Sequence, residues 1–132
     1  IFLLRESLEI TCVPFMVQII DEDHIHDLKS IIEKQIKAAQ NDDYYTFMLL
    51  DKSFHTYLME IIQFELFLKS YNVQHDLSIL IGTQGLKSQG RMIEVIDEHN
   101  EIIKALSYKN EEAIVNMMKS HLEKSMTAFK VK

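Results

Sequence analysis

The sequence L-D-K-S-F-H-T-Y-L, at residues 50–58, combines an apolar helical row with two ionisable side chains. Asp51 and His55 are four residues apart, so on an α-helix they lie one turn apart on the same face. Phe47 and Leu58 continue that row, which indicates that this face points into the interior of a helical protein. Buried ionisable groups need a partner. One ligand shared by both side chains would satisfy this need.

Apolar residues recur at helical spacing on both sides of this segment, and no long stretch alternates between strand-forming and polar residues. Only three glycines and one proline interrupt the 132 residues. We therefore predict an all-α fold, an antiparallel bundle of about six helices around a central metal or ligand cavity. The predicted helices cover about residues 3–20, 23–40, 45–61, 64–81, 92–106 and 113–122.

Three features mark where these helices bend, end or begin. Pro14 removes an amide donor inside the first helix and should kink it. Gly82, Gly85 and Gly90 indicate a loop between the fourth and fifth helices. Asn110 is a suitable cap for the sixth helix.

The composition excludes several classes of protein. The chain has 20 acidic and 14 basic residues and a net charge of −6, which disfavours direct binding to DNA. The single cysteine, Cys12, suits a reducing cytoplasm, and no apolar run is long enough to cross a membrane. The length predicts a single domain over residues 1–132. Because the chain opens with Ile inside an apolar segment, we expect that an upstream domain is missing.

His99 and His121 are two further imidazoles in apolar helical rows. They are about equally far from the turn at residues 107–109, so antiparallel packing of the last two helices would bring them together. Together with Asp51 and His55, they form a suitable ligand set for a divalent transition ion. Zn²⁺ is favoured, with Ni²⁺, Mn²⁺ and Fe²⁺ as alternatives. Open coordination positions would accept water or the carboxylate of a small organic acid.

Other interpretations fit the same residues. Each histidine could instead be a hydrogen-bonded core or surface residue, and for His75 a surface position is favoured over a place in the cavity. The H-D pairs at residues 26–27 and 75–76 resemble those of metal-dependent phosphohydrolases, which makes a helical metalloenzyme an alternative. A structural dimerisation bundle without a ligand is a third possibility. The Glu-x-x-His pairs of di-iron bundles do not occur.

The chain resembles the effector-binding C-terminal domain, known as the FCD domain, of FadR-type GntR transcription regulators. Beside the opening motif, the resemblance rests on three stretches: R-E-S-L-E at residues 5–9, E-H-N-E-I-I-K-A-L at residues 98–106, and A-x7-H-L at residues 113–122. The first of these is weak. The other two and the opening motif are specific in combination.

The resemblance implies a metal site at the same four residues that the helical faces select: Asp51, His55, His99 and His121. It further implies that the domain is not an enzyme and senses a small organic acid. Arg91 is the candidate for holding the carboxylate, and Thr83 and Ser88 could add hydroxyl contacts. Members of the family are usually homodimers, and an exposed apolar face on the first or fourth helix could serve as the interface. DNA binding would belong to an N-terminal winged-helix domain that is missing from this chain.

Overall fold

The computed structural model describes residues 2–87 and 90–130, without the side chains of residues 2, 78, 80–82, 129 and 130. Every regular element in these ranges is a helix, which confirms the all-α prediction. The helices are α1 (Phe2–Ile19), α2 (Glu22–Gln40), α3 (Tyr44–Glu60), α4 (Glu65–Gly85), α5 (Arg91–Ser107) and α6 (Glu111–Lys130). None of these helices is both long and apolar enough to span a bilayer.

Three helices begin at residues whose side chains cap them. Asp21, Asp43 and Asn110 precede α2, α3 and α6. Each side chain accepts a hydrogen bond from the backbone N–H three residues later, at 3.0, 3.2 and 3.1 Å respectively. Such caps satisfy amide groups that have no partner within the helix. The short polar breaks in the sequence therefore define where these helices start.

The predicted loop between the fourth and fifth helices begins too early. Helix α4 continues through Gly85, so the prediction of a break at Gly82 and Gly85 is wrong. Gly85 and the adjacent Leu86 are both buried, and packing offsets the entropic cost of glycine in a helix. Gly90 does end the break, with a φ of 77° in the left-handed region. Helix α1 also continues past Pro14, which lies on its exposed side.

The helices pack as a closed ring in the order α1, α6, α5, α2, α3, α4, and α4 returns to contact α1. Apolar side chains fill most of the interior, including those of Phe47, Phe54, Leu58, Ile102, Leu106 and Met118. Among the side chains that the structure describes, nine polar or charged ones are also buried, and together they come from all six helices. They are Arg5, Glu9, Gln35, Asp51, His55, His75, Arg91, His99 and His121. The ring therefore encloses a polar centre within an apolar core.

Several apolar residues of the predicted helical rows lie outside the core. Leu66 and Leu77 of α4 are 80% and 43% exposed, and Ile93 of α5 is 64% exposed. The predicted apolar rows therefore include residues outside the face that each helix buries. Single hydrophobic side chains are common on protein surfaces, so hydrophobicity alone does not show that a residue is buried.

Two isoleucines on α5 test the packing of the bundle. Ile102 is fully buried and Ile93 is 64% exposed. We expect Ile102→Ala to lower the free energy of unfolding by about 2–5 kcal/mol, because it removes apolar contacts and leaves a cavity. Ile93→Ala should change it by no more than about 0.5 kcal/mol. Urea unfolding of both variants measures the difference, and equal losses would contradict this packing.

Candidate metal centre

Asp51, His55, His99 and His121 converge at the centre of the helical ring. One ligand atom from each residue lies within 4.8 Å of the others, and all four residues are buried. Helix α3 places Asp51 and His55 one turn apart on its inner face. Helices α5 and α6 follow one another across a short turn. They bring His99 and His121, respectively, to the same point. The structure therefore brings together the four residues that the sequence singles out.

The ligand atoms lie at separations typical of atoms bound to one ion. His121 Nε2 lies 3.1 Å from His55 Nε2 and 3.3 Å from His99 Nε2. Oδ1 of Asp51 lies 3.1 Å from His99 Nε2, 3.4 Å from His55 Nε2 and 3.9 Å from His121 Nε2. Ligands about 2.1 Å from a common ion are about 3.0 Å apart at a right angle and about 3.4 Å apart at the tetrahedral angle.

The other ring nitrogen of each histidine contacts a buried or partly buried oxygen. These contacts join His55 Nδ1 to Glu9, His99 Nδ1 to Gln35 at 2.9 Å, and His121 Nδ1 to Glu98 at 2.6 Å. An oxygen at this position favours a proton on Nδ1, which leaves the Nε2 lone pair free to bind a metal. The three rings are thus oriented as metal-binding histidines usually are.

The chemistry of the cluster fits a cation. Three inward-facing nitrogens and a carboxylate oxygen meet in a buried environment. A neutral imidazole that carries its proton on Nδ1 directs only a lone pair from Nε2 toward the other ligands. Imidazole and carboxylate are the usual ligands of Zn²⁺ and similar ions. The buried cluster could therefore hold a divalent metal ion.

The charges at this centre are strongly coupled. Burial alone would lower the pKa of His55, but the charges of Glu9 and Asp51 raise it to about 9. Burial would likewise raise the pKa of Glu9, but the charge of His55 and their hydrogen bond lower it to about 2. Burial would also raise the pKa of Asp51, but the charge of His55 and hydrogen bonds from His55, His75 and His99 together hold it well below its usual value. The site thus stabilises two carboxylates that need positive charge between them.

The remaining imidazoles of the cluster stay neutral. Burial lowers the pKa of His99 to about 3, and it lowers the pKa of His121 as well. A neutral imidazole is the form that binds a metal. The centre therefore holds these two rings ready for coordination at neutral pH.

Arg91 is buried beside the cluster, but its guanidinium already has partners. It forms a two-pronged ion pair with Glu98, at 2.7 and 3.0 Å, and also donates to Ser125 Oγ at 2.7 Å. Glu98 in turn contacts Nδ1 of His121. Arg91 therefore holds the acid that orients one candidate metal ligand.

A small cavity of about 30 Å³ lies next to the cluster. Its walls include Arg5, Asp51, Arg91 and His121. In this measure, a space of about 10–15 Å³ holds one water, so the cavity has room for about two. Both arginines of the chain thus border one compact space at the candidate metal centre.

Thr83, one of the other predicted contacts with a bound acid, does not border this space. The Thr83 hydroxyl donates to the carbonyl of Ile79 within α4, at 2.9 Å, and Thr83 is not part of the cavity wall. Ser88 lies outside the described residues.

His75 is at the centre rather than on the surface, so the prediction of a surface position is wrong. Its side chain is fully buried, and Nε2 lies 3.3 Å from Oδ2 of Asp51. Burial and the nearby charge of Arg5 lower its pKa to about 4. Asp27 and Asp76, the acidic halves of the two H-D pairs, are both exposed. The histidines of the two pairs lie in different surroundings, because His26 is exposed and His75 is buried.

Sequence reasoning missed four of the buried polar residues: Arg5, Glu9, Gln35 and His75. The signal that identified His99 also applies to them, because each is a polar residue in a largely apolar helical row. Arg5 and Glu9 are also four residues apart, like Asp51 and His55, and lie within 4.0 Å of each other.

Comparison with known families gives one result that covers nearly the whole chain. The family model described as the FCD domain matches residues 1–124. No match was found among curated proteins.

Two buried histidines predict how the metal-free chain responds to acid. Unfolded histidines take up protons near pH 6.5, whereas folded His75 and His99 resist protonation down to pH values of about 4 and 3. Stability is therefore present above pH 6.5 and is lost as the pH falls below it, by up to about 1.4 kcal/mol per pH unit for each residue. Urea unfolding of EDTA-treated protein at pH 6.5, 5.5 and 4.5 measures the slope of the unfolding free energy against pH.

A matched pair of variants assigns the slope to the buried rings. His75→Leu should flatten the slope by about one proton, since it removes one group that titrates only in the unfolded state. His26→Leu replaces an exposed histidine and should leave the slope almost unchanged. Identical slopes in His75→Leu and the parent chain would contradict the burial of this imidazole.

Proposed function

Because this chain belongs to the FCD family, the FadR-type C-terminal domain of GntR transcription regulators, we propose that it senses a small carboxylate through a bound divalent metal. Membership of the family makes it an effector-binding regulatory domain. Family membership does not specify a bound metal or a small acid, and both are part of our proposal. Their support comes from the residues at the centre of the ring.

One observation carries the metal proposal. Three Nε2 atoms and a carboxylate oxygen meet in a buried cluster, and the outer nitrogen of each ring has its own oxygen partner. Asp51, His55, His99 and His121 would hold the ion, with Zn²⁺ favoured over Ni²⁺, Mn²⁺ and Fe²⁺. When bound, the ion would supply a Lewis-acidic position that accepts an oxygen of the acid.

The charges around the cavity support an acid as the effector. Arg5 and Arg91 both border the space beside Asp51 and His121. Guanidinium groups pair well with carboxylates because their planar donors match the two oxygens. Since the cavity has room for only about two waters, the effector would be small, or its binding would move the helices around it.

The position of Arg91 gives the effector a way to act on the fold. Its donors are bound to Glu98, and Glu98 contacts His121. A carboxylate that enters the cavity would compete with Glu98 for the same guanidinium. The acid would then bind more tightly to one arrangement of α5 and α6 than to the arrangement that is favoured without it. Regulation requires such a difference in affinity between two states.

Metal removal tests the proposal directly. We expect elemental analysis of the protein, purified without chelator, to find about one divalent metal per chain. EDTA should lower the melting temperature by several degrees, because metal binding stabilises the folded chain. Added Zn²⁺ should restore it. The absence of metal, together with an unchanged melting temperature after incubation with Zn²⁺, would contradict the proposal.

Variants distinguish the sensor from a structural bundle that binds no ligand. Asp51→Ala should abolish stoichiometric binding of Zn²⁺, whereas His26→Leu should leave it intact. In the loaded chain, calorimetry should detect binding of acetate or oxalate, and Asp51→Ala should abolish it. A ligand-free bundle instead predicts that His99→Leu leaves stability unchanged or raises it, since a buried polar group is replaced by an apolar one.

We also propose that the chain forms a homodimer through one apolar face of α1 and α4. The two helices pack together, and the rings of Phe15 and Phe64 are in edge contact with centroids 5.2 Å apart. Large apolar side chains that are at least two-fifths exposed lie along both helices: Leu4, Phe15 and Ile19 on α1, Phe64 immediately before α4, and Leu66, Val73 and Leu77 on α4. The exposed apolar residues of the two predicted alternatives, α1 and α4, therefore meet where the rings of Phe15 and Phe64 touch. A second copy suits this surface because a two-fold axis pairs the same apolar patch on both chains.

A charge placed on this face should separate the subunits. Val73 is 58% exposed on α4, so Val73→Glu should weaken dimerisation by at least ten-fold without unfolding the chain, because it buries a carboxylate at the interface. Ile93→Glu, at a 64% exposed position on α5, is the matched control and should remain dimeric. Light scattering after size exclusion gives the mass of each. A dimer that persists in Val73→Glu would place the interface elsewhere.

A further inference from the structure

The two oxygens of Asp51 lie in different surroundings. Oδ1 faces the Nε2 atoms of the three clustered histidines. Oδ2 faces His75, whose Nε2 is 3.3 Å away, and Arg5, whose Nη2 is 4.0 Å away. The carboxylate therefore has one side toward the candidate metal and one side toward α1 and α4.

His75 is a buried imidazole whose hydrogen bonding is incomplete. Its side chain is fully buried, and neither ring nitrogen has a hydrogen bond of good geometry with the described residues. Its nearest ring neighbours, Tyr71 and His55, have centroids 5.6 and 5.8 Å away. A buried donor without an acceptor is unfavourable, because it has lost its hydrogen bonds to water and gained none in the protein. Oδ2 of Asp51 is already within reach, and a small rotation of the ring would align the N–H with it.

We propose that His75 is a positioning residue, which donates its Nε2–H to Oδ2 so that Asp51 binds the metal through Oδ1 alone. This inference rests on the proposed metal site. It adds a residue outside the four candidate ligands. It also gives Asp51 an outer partner comparable to those of the three histidines, whose Nδ1 atoms contact Glu9, Gln35 and Glu98.

The binding mode of Asp51 affects which acids the metal can accept. A carboxylate that binds through both oxygens takes two coordination positions, whereas one that binds through a single oxygen takes one. With three imidazoles and one oxygen from Asp51, a six-coordinate ion keeps two positions open. Two adjacent positions suit acids that bind through two oxygens, such as dicarboxylates and 2-hydroxy or 2-oxo acids. His75 would thus favour these acids over simple monocarboxylates.

Arg5 does not replace His75 in this role. Its Nη2 lies 4.0 Å from both Asp51 Oδ2 and Glu9 Oε2. At this distance, the positive charge of Arg5 compensates the two carboxylates, but the atoms are too far apart for a hydrogen bond. Arg5 also borders the cavity, where a bound acid would need its charge. The imidazole is closer to Oδ2 and lies outside the cavity wall, so it can hold the carboxylate without competing for the acid.

A structure of the wild-type chain loaded with Ni²⁺ gives the first test. We expect one oxygen of Asp51 at about 2.1 Å from the ion and the other within hydrogen-bond distance of His75 Nε2. Both oxygens bound to the ion, or His75 turned away from Oδ2, would overturn the proposal. This measurement needs no substitution, so it remains decisive even if a variant at residue 75 fails to fold.

Binding measurements on variants give the second test. His75→Leu should keep the fold but weaken Ni²⁺ binding by about 10- to 100-fold, as loss of an outer partner typically does. At saturating Ni²⁺, it should also lower the ratio of oxalate to acetate affinity, since Asp51 can then take the second position. His75→Gln keeps an amide donor and should recover part of both effects, while His26→Leu should match the wild type.

The possible outcomes separate this inference from the proposed function. If the wild-type chain binds no metal, the proposed function fails and this inference fails with it. If the wild type binds Ni²⁺ but His75→Leu retains the same affinity and the same oxalate preference, only the role of His75 is overturned. A loss of metal affinity with an unchanged oxalate preference would overturn the claim that His75 controls the binding mode of Asp51.

Discussion

The structure depends on the convergence of imidazole nitrogens and carboxylates in a buried interior. His55, His99 and His121 direct Nε2 atoms to one point, and two of these separations are 3.1 and 3.3 Å. Lone pairs at such distances repel one another unless a proton or a metal ion lies among them. Asp51 and Glu9 add negative charge at the same place, where low polarity makes unbalanced charge costly. Positive charge among these atoms, from a proton or from a bound cation, would therefore stabilise the arrangement of the helices that carry these residues.

This requirement connects the site to the whole fold, because every helix contributes a buried polar residue to the centre. Three helices supply the candidate ligands, while α1, α2 and α4 supply Glu9, Gln35 and His75. The apolar core accounts for the compactness of the bundle, but any hydrophobic side chain of suitable volume could serve that purpose. The polar residues need specific partners at specific distances, so they determine which rotation of each helix is allowed. Under the proposed function, stability and ligand binding are therefore properties of the same set of contacts.

The sequence was sufficient to predict the helices and the four candidate ligands, for identifiable reasons. Asp51 and His55 share a face because of their spacing, and His99 and His121 are related by the short turn between α5 and α6. His75 could not be placed in the same way, since no short turn relates α4 to α5, and which side of α4 faces the centre depends on its packing against α1 and α3. The end of α4 was misjudged because the burial of Gly85 and Leu86 is a tertiary effect. Partners such as Gln35 were missed because an amide in an apolar row is a weaker signal than a histidine.

The same contacts explain how a small molecule could act on a rigid core. Arg91 cannot keep both prongs on Glu98 and also pair fully with an incoming carboxylate, because its donors are already bound at 2.7 and 3.0 Å. Under the proposed function, the acid pairs with the guanidinium of Arg91 and binds the metal. Glu98 then loses the ion pair with Arg91 that holds its carboxylate beside His121. The free energy of acid binding is then shared with the packing of α5 against α6. Since α6 also contacts α1 and α4, the helices of the proposed dimer face are one packing layer away from the site. A change at the centre could thus reach the subunit interface without a flexible segment to carry it.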